Sequence, residues 1–424
     1  MPPPISSSVR STGKLTLRPA LVVLHRWFGL AAAIFLFIAG ATGAVISWDH
    51  ELDAWLNPQL FEARSGHDGK AQIGGLELAR RVEAADARVR VGYVLTAAEP
   101  GHTSQLQVEA RIDPATGKPY VLGFNQLALD PATGQVQGRR EWGAVSLQRE
   151  NLLPFLYKLH YTMHIPDGWG IEFGIWLMGM IAVVWVADCV IALYLSFPNW
   201  RSWRKSFAFR WRQGGHKLNF DLHRSGAVWV WGLLLLLAVT SVSMNLNRQV
   251  MRPVVEAFST LTPNAFDSRT PRPEDKPIEP LLGRERVMLL AQAEARRRGW
   301  TAPAGGIFYS SAFGLYGVGF FEPGKDHGDG GLGNAWLYID GIDGSPAGAS
   351  VPGTGSAGDI FLQAQFPLHS GRIIGLPGRV MISAMGALVA MLSVTGVVIW
   401  LRKRRARMAA AQQPARTPAQ RAAA

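Results

Sequence analysis

LHRWFGLAAAIFLFIAGATGAVISW, residues 24–48, decides what kind of protein this is. Beyond Arg26 the run carries no formal charge as far as Trp48, and a bilayer core about 30 Å thick is crossed by roughly 20 apolar residues in a helix. Phe173 to Phe197, Ser225 to Asn245 and Val380 to Leu401 meet the same test, with Asp188 the only formal charge among them. The first run is too long and too late for a cleaved signal. It is followed by Trp48-Asp49-His50-Glu51 where small residues would be needed, so it is expected to stay as an anchor.

Histidines stand at the entrances to these four segments, and they form two matched pairs. Leu24-His25-Arg26 opens the first segment and Leu222-His223-Arg224 the third; Leu159-His160, with His164 one turn on, leads into the second and Leu368-His369 into the fourth. Histidine at membrane depth is rare and functional by default, and neutral imidazole is a frequent ligand of haem iron. The pattern therefore predicts two b-type haems, one held by His25 and His223 and the other by His369 with His164 or His160. His160 and His164 are four apart and share one side if their segment is helical. They cannot then be opposite ligands of one iron, so one of them has another task.

Arg26, Arg224 and Arg372 follow the histidines and would pair with haem propionates. Gly29, Gly40, Gly43, Gly168, Gly170, Gly226, Gly371, Gly375 and Gly378 would let backbone approach a flat macrocycle, or tighten plain helix packing. Asp188 reads as a proton relay or as the partner of a polar group on a neighbouring helix. The single cysteine, Cys189, excludes disulfides, covalent haem attachment and an iron–sulfur cluster, and reads as a packing residue. Gly328 to Gly333 lacks the strand-turn-helix setting of a dinucleotide site. Electrons are thus expected from a cytoplasmic partner or a membrane quinol. His67, His102 and His327 fall in Gly-, Asp- and Ser-rich stretches and read as solvated loop residues.

Basic residues give the orientation. Arg10, Lys14, Arg18 and Arg26 precede the first segment, six Arg and Lys residues between Arg201 and Lys217 fill the link from second to third, and Arg402 to Arg407 follow the fourth. By the positive-inside rule these stretches and both termini are cytoplasmic. The net charge of +12 then reflects topology and contact with membrane lipid, and nucleic acid is not expected as a partner.

The resulting organisation is a cytoplasmic tail (1–18), membrane helices at 19–48, 172–197, 222–246 and 376–401, a basic loop (198–221), two outer α+β domains (49–171 and 247–375) and a basic disordered tail (402–424). Each outer segment has a helical stretch, strand-like runs and a closing Asp–Gly turn, Leu129-Asp130-Pro131-Ala132-Thr133-Gly134 in the first and Ile339-Asp340-Gly341-Ile342-Asp343-Gly344 in the second. The chain reads as an internal duplication.

The strings Leu24-His25-Arg26-Trp27-Phe28-Gly29-Leu30, Leu159-His160-Tyr161-Thr162-Met163-His164-Ile165-Pro166, Asp221-Leu222-His223-Arg224 and Pro367-Leu368-His369-Ser370-Gly371-Arg372, with Thr395-Gly396-Val397-Val398-Ile399-Trp400, resemble the PepSY-associated transmembrane proteins. The turn at Asp130 is similar to the end of a PepSY module, and the second outer module is the looser match. The resemblance spans about residues 17 to 405. It implies a four-helix bundle in the bacterial inner membrane carrying two periplasmic PepSY-like domains, linked to iron uptake. It also implies a dihaem reductase that passes electrons to a periplasmic ferric siderophore, releasing iron as Fe(II). The alternatives are a non-redox, membrane-anchored PepSY binding or regulatory protein, and a metal transporter.

Overall fold

The computed structural model describes residues 17–66, 71–328 and 330–412. Residues 1–16 and 413–424, read as tails, and His67 lie outside them. The helices are α1 (Leu17–Ile46), α2 (Asp49–Leu56), α3 (Pro58–Phe61), α4 (Gly75–Ala85), α5 (Leu152–Thr162), α6 (Phe173–Ser196), α7 (Gly215–Trp229), α8 (Trp231–Asn245), α9 (Arg252–Glu256), α10 (Arg284–Arg297), α11 (Ala357–Ser370) and α12 (Leu376–Gln412). The strands are β1 (Val89–Leu95), β2 (Ser104–Ala110), β3 (Ile112–Asp113), β4 (Lys118–Pro119), β5 (Gln126–Leu129), β6 (Val136–Arg140), β7 (Ala304–Ser310), β8 (Leu315–Phe320), β9 (Ala335–Asp340) and β10 (Pro346–Ser350).

Among the described residues, α1, α6 and α12 are long and apolar enough to cross a membrane, each with a mean hydropathy of 2.2 over its apolar window. Only 22% of each window is buried. So much exposed apolar surface needs lipid, and this is a membrane protein. The fourth apolar segment is broken: α7 and α8 meet at 73°, where Val230 leaves helical geometry (φ −117°, ψ 17°). Helix α12 runs on to Gln412, which corrects the expectation of a disordered tail from 402. Arg, Lys, Met and Ala all favour helix, and no proline interrupts them before Pro414.

The chain divides into two compact units. The first contains the described residues up to Phe37, Ile181–Ala238 and those from Val389 on. It consists of helix segments from α1, α6, α8 and α12, together with α7 and the basic link before it. Within it, Trp231 Nε1 donates to Cys189 O at 2.9 Å and Arg18 donates to Leu195 O at 2.6 Å.

The second unit contains Ile38–Met180 and Val239–Leu388. Eight of its strands form one antiparallel sheet in the order β10-β9-β8-β7-β1-β2-β5-β6. This corrects the expectation of two separate outer domains. Strand β1 pairs with β7 through Tyr93–Phe308, Val94–Ile307 and Leu95–Gly306, so neither leaves an open edge. One core serves both loops, with Leu78 of α4 and Val287 of α10 among the buried residues packed with Val94, Leu106, Ile307 and Val318. Arg284 fastens the joint from α10 by donating to Glu83 of α4 at 2.7 Å and 3.0 Å. Burial works against the Glu83 carboxylate, but the Arg284 hydrogen bonds and charge, the Val91 amide and the Arg111 charge together hold its pKa below the usual range.

Each loop contributes a helix followed by four strands of this sheet, and the two closing turns have the same geometry. Asp130 Oδ1 accepts from Ala132 N at 2.9 Å, and Asp340 Oδ1 from Ile342 N at 2.7 Å. Gly134 and Gly344 close the turns at φ 75° and 79°, a region glycine enters freely.

Candidate functional site

In the first unit the rings of His25 (α1) and His223 (α7) face each other with centres 6.2 Å apart and planes at 48°. In the second, His160 (α5) and His369 (α11) do the same at 6.1 Å and 63°. Two imidazoles bound through nitrogen to opposite sides of one metal, by bonds of about 2 Å, have ring centres roughly 6 Å apart. The spacing therefore fits a ligand pair, and both pairs have it.

The hydrogen bonds decide which nitrogen is available. His223 Nδ1 lies 3.0 Å from Leu392 O and 3.2 Å from Thr395 Oγ1. His160 Nδ1 lies 2.9 Å from Ala39 O and 3.1 Å from Thr42 Oγ1. Both threonine hydroxyls donate back to their own helix, Thr395 to Met391 O at 2.9 Å and Thr42 to Ile38 O at 2.7 Å. Their oxygens thus accept from an Nδ1–H. His25 Nδ1 meets Asp188 Oδ1 at 2.8 Å, and His369 Nδ1 meets Thr240 Oγ1 at 2.9 Å. All four rings direct Nδ1 to a protein partner, an arrangement of the kind that orients ligand histidines.

Glycine lets two of these rings sit close to a helix. A Cβ on Gly43 would come within 3.0 Å of His160 Cε1, and one on Gly396 within 3.0 Å of His223 Cε1. Each ring is thus seated on a Thr-Gly step, Thr42-Gly43 on α1 or Thr395-Gly396 on α12. At the other helix entrances, a Cβ on Gly378 would lie 1.9 Å from Gly371 O. That pair serves close backbone packing, as does Gly40, whose carbonyl lies 2.5 Å from a Cβ placed on Gly386. A Cβ on Gly29, one turn beyond His25, would meet no atom of the described residues within 4 Å outside its own stretch of helix.

Of the two histidines the sequence left open, the structure brings His160 to His369 and turns His164 to Phe155. Helix α5 ends at Thr162, and Met163 and His164 turn left-handed (φ 54° and 52°). The i, i+4 relation with His160 is lost. His164 stacks on Phe155 at 4.5 Å, with Nε2 2.9 Å from Phe155 O. His369 is positioned by α11, whose start is fixed by a reciprocal cap between Ser356 and Asp359 and whose end is Gly371 at φ 75°. Burial pulls His160 down to about 4. Burial and the neighbouring His160 pull His369 down to about 3, so both rings are neutral near pH 7.

The three arginines differ in setting. Arg26 lies over the Trp27 ring at 5.4 Å, and Arg224 lies over Phe220 at 5.3 Å while donating to Lys205 O at 2.7 Å. Each has a buried Nε with no hydrogen-bond partner among the described residues. An anion beside either Nε would satisfy it. Arg372 stands 3.8 Å from Asp49 Oδ1 and lines a cavity of about 340 Å³ with Asp326, His327, Asn334, Trp336 and Gln363. His327, read from sequence as a loop residue, pairs there with Asp326 at 3.1 Å. The Asp326 hydrogen bond raises its pKa against the opposing effect of burial.

Sequence reasoning missed the supports Thr42, Thr240 and Thr395. For Thr42 and Thr395 the signal was the Thr-Gly step, which stands in both α1 and α12; Thr240, followed by Ser241, has none. Asp188, left between two readings, is the partner of a group on a neighbouring helix, His25.

Among the described residues no group of three or more His, Cys, Asp and Glu side chains is placed to hold a bare metal ion. No curated protein matches the chain. The PepSY-associated TM region matches it over residues 22–403, a stretch that takes in both histidine pairs and the sheet between the helices, and the chain belongs to that family.

Proposed function

We propose that this is a dihaem b-type electron-transfer protein of the bacterial inner membrane that carries electrons from the cytoplasmic side or the quinol pool to a periplasmic ferric siderophore, releasing iron as Fe(II). The observation that carries the reading is the pair of imidazole pairs, ring centres 6.2 Å and 6.1 Å apart, with every Nδ1 held by the protein. His25 and His223 would hold one haem and His160 and His369 the other. Haem supplies one-electron chemistry at iron.

The chain's residues do the rest. Thr42, Thr240, Thr395, Asp188 and two helix carbonyls fix the rings. Arg26 and Arg224, with their unpaired buried Nε atoms, suit the propionates beside the first pair, and Arg372 those beside the second. The cavity lined by Arg372 and His327 shares helix α11 with His369, through Gln363, Phe366 and Pro367, and is the docking place we assign to the acceptor. Reduction is a release step because oxygen-rich chelators suit hard Fe(III) better than softer Fe(II). In this reading the bent α7–α8 segment is a fourth span, the halves are duplicates, both termini are cytoplasmic and the sheet is periplasmic, as the basic flanks support.

Absorption spectra of the detergent-purified chain, oxidised and dithionite-reduced, with a pyridine haemochrome assay, test the reading. About two b-type haems per chain are expected. None, after expression with ample haem, would discard it in favour of an anchored binding module. Gly43→Val and Gly396→Val are each expected to disturb a single haem, because the added Cβ displaces one ring by a few tenths of an ångström. Electron paramagnetic resonance of the oxidised protein should show one altered low-spin signal and one unchanged.

A further inference from the structure

Among the described residues, the Nδ1 partners of the two histidine pairs correspond at one ring and differ in charge at the other. His160 and His223 each direct Nδ1 to a helix carbonyl and a threonine hydroxyl. Of the remaining two, His369 Nδ1 faces the neutral hydroxyl of Thr240 at 2.9 Å, whereas His25 Nδ1 faces the carboxylate of Asp188 at 2.8 Å. Asp188 is the sole formal charge in α6, with its side chain only 16% exposed.

A carboxylate that accepts from Nδ1–H pushes electron density toward Nε2 and makes the ring a stronger donor. A stronger donor favours iron(III) over iron(II) and lowers the reduction potential. The negative charge acts in the same direction, more strongly in an apolar surrounding than in water. A threonine hydroxyl orients its ring without this effect.

We propose that Asp188, acting through His25, makes the His25–His223 site the lower-potential end of the electron path and leaves the His160–His369 site as the higher-potential end. The proposal rests on the haem reading of both pairs. One electron passes from the first site, which is oxidised, to the second, which is reduced, and no bond is made or broken. Asp188 is a positioning residue in this scheme, giving the path its direction.

Spectroscopic redox titration of the full-length protein in detergent tests it. Wild type should titrate with two midpoints; His25→Ala should remove the lower and His369→Ala the higher. Asp188→Asn keeps an acceptor but removes the charge. It is expected to retain two haems and to shift only the lower midpoint upward, by a tenfold or greater change in its reduction equilibrium, about 59 mV for one electron. Asp188→Glu should move it back. If both midpoints stay put in Asp188→Asn, or the higher one moves, the proposal is overturned. Should Asp188→Asn lose a haem, the wild-type comparison decides: finding the lower midpoint in the haem that survives His25→Ala overturns it. A wild-type protein without haem would instead overturn the underlying haem reading, and the haemochrome assay detects that before any titration.

Discussion

His160→Ala is expected to lower the haem content from about two per chain to about one and to abolish reduction of a ferric siderophore, while His164→Ala keeps both haems. The contrast follows from the end of α5. His160 is the last histidine inside the helix, its ring 6.1 Å from that of His369, whereas His164 lies beyond the left-handed turn with Nε2 on Phe155 O. Haemochrome assays on both variants and on His369→Ala make the test. Loss of a haem from His164→Ala with none lost from His160→Ala would reverse the assignment. The two histidines are close enough in sequence that a general effect of substitution would appear in both.

Asp53→Ala is expected to destabilise the sheet-bearing unit by about 3–5 kcal/mol, the range for leaving one partner of a buried ion pair uncompensated. Asp53 and Arg140 meet at 2.7 Å with side chains 8% and 4% exposed. Arg140 also donates to Gln126 and to Glu150 O, and Asp53 accepts from Asn57. Removing the carboxylate strands a guanidinium that the fold keeps from water. Replacing both residues with apolar ones, Asp53→Leu with Arg140→Met, should recover much of the loss, because no charge is then left buried. Thermal unfolding of the detergent-solubilised variants reads both effects. A fall in the single variant below about 1 kcal/mol would mean that water or a rearranged neighbour reaches Arg140.

The helices were legible because lipid imposes a composition that a local window detects, and the histidine pairs because their positions repeat. His160 and His164 could not be separated from sequence. The choice depends on backbone torsions at Met163, which is not a glycine and gives no sign of a left-handed turn. Asp188 was visible as a lone charge in an apolar run, but its partner stands on another helix, 163 positions away. The joined sheet was the largest omission. Alternation along a strand shows which face is buried, and it does not show which strand lies beside it. Nothing local in Val89–Leu95 distinguishes an edge from the centre of a sheet, and β1 is at the centre because β7, from the second loop, completes it.

That shared sheet also constrains the order of events during synthesis. The partners of β1 on β7 are made about two hundred residues later than β1 itself, after two further apolar segments have left the ribosome. At roughly 5–20 residues per second this is an interval of about 10–40 s. Through it the newborn first loop has β1 paired with β2 on one side and an open edge at Tyr93, Val94 and Leu95 on the other, a template for mispairing with any other extended chain. A chaperone that masks strand edges would act in that interval, and truncations ending before Ala304 should be the fragments most prone to aggregate or be degraded.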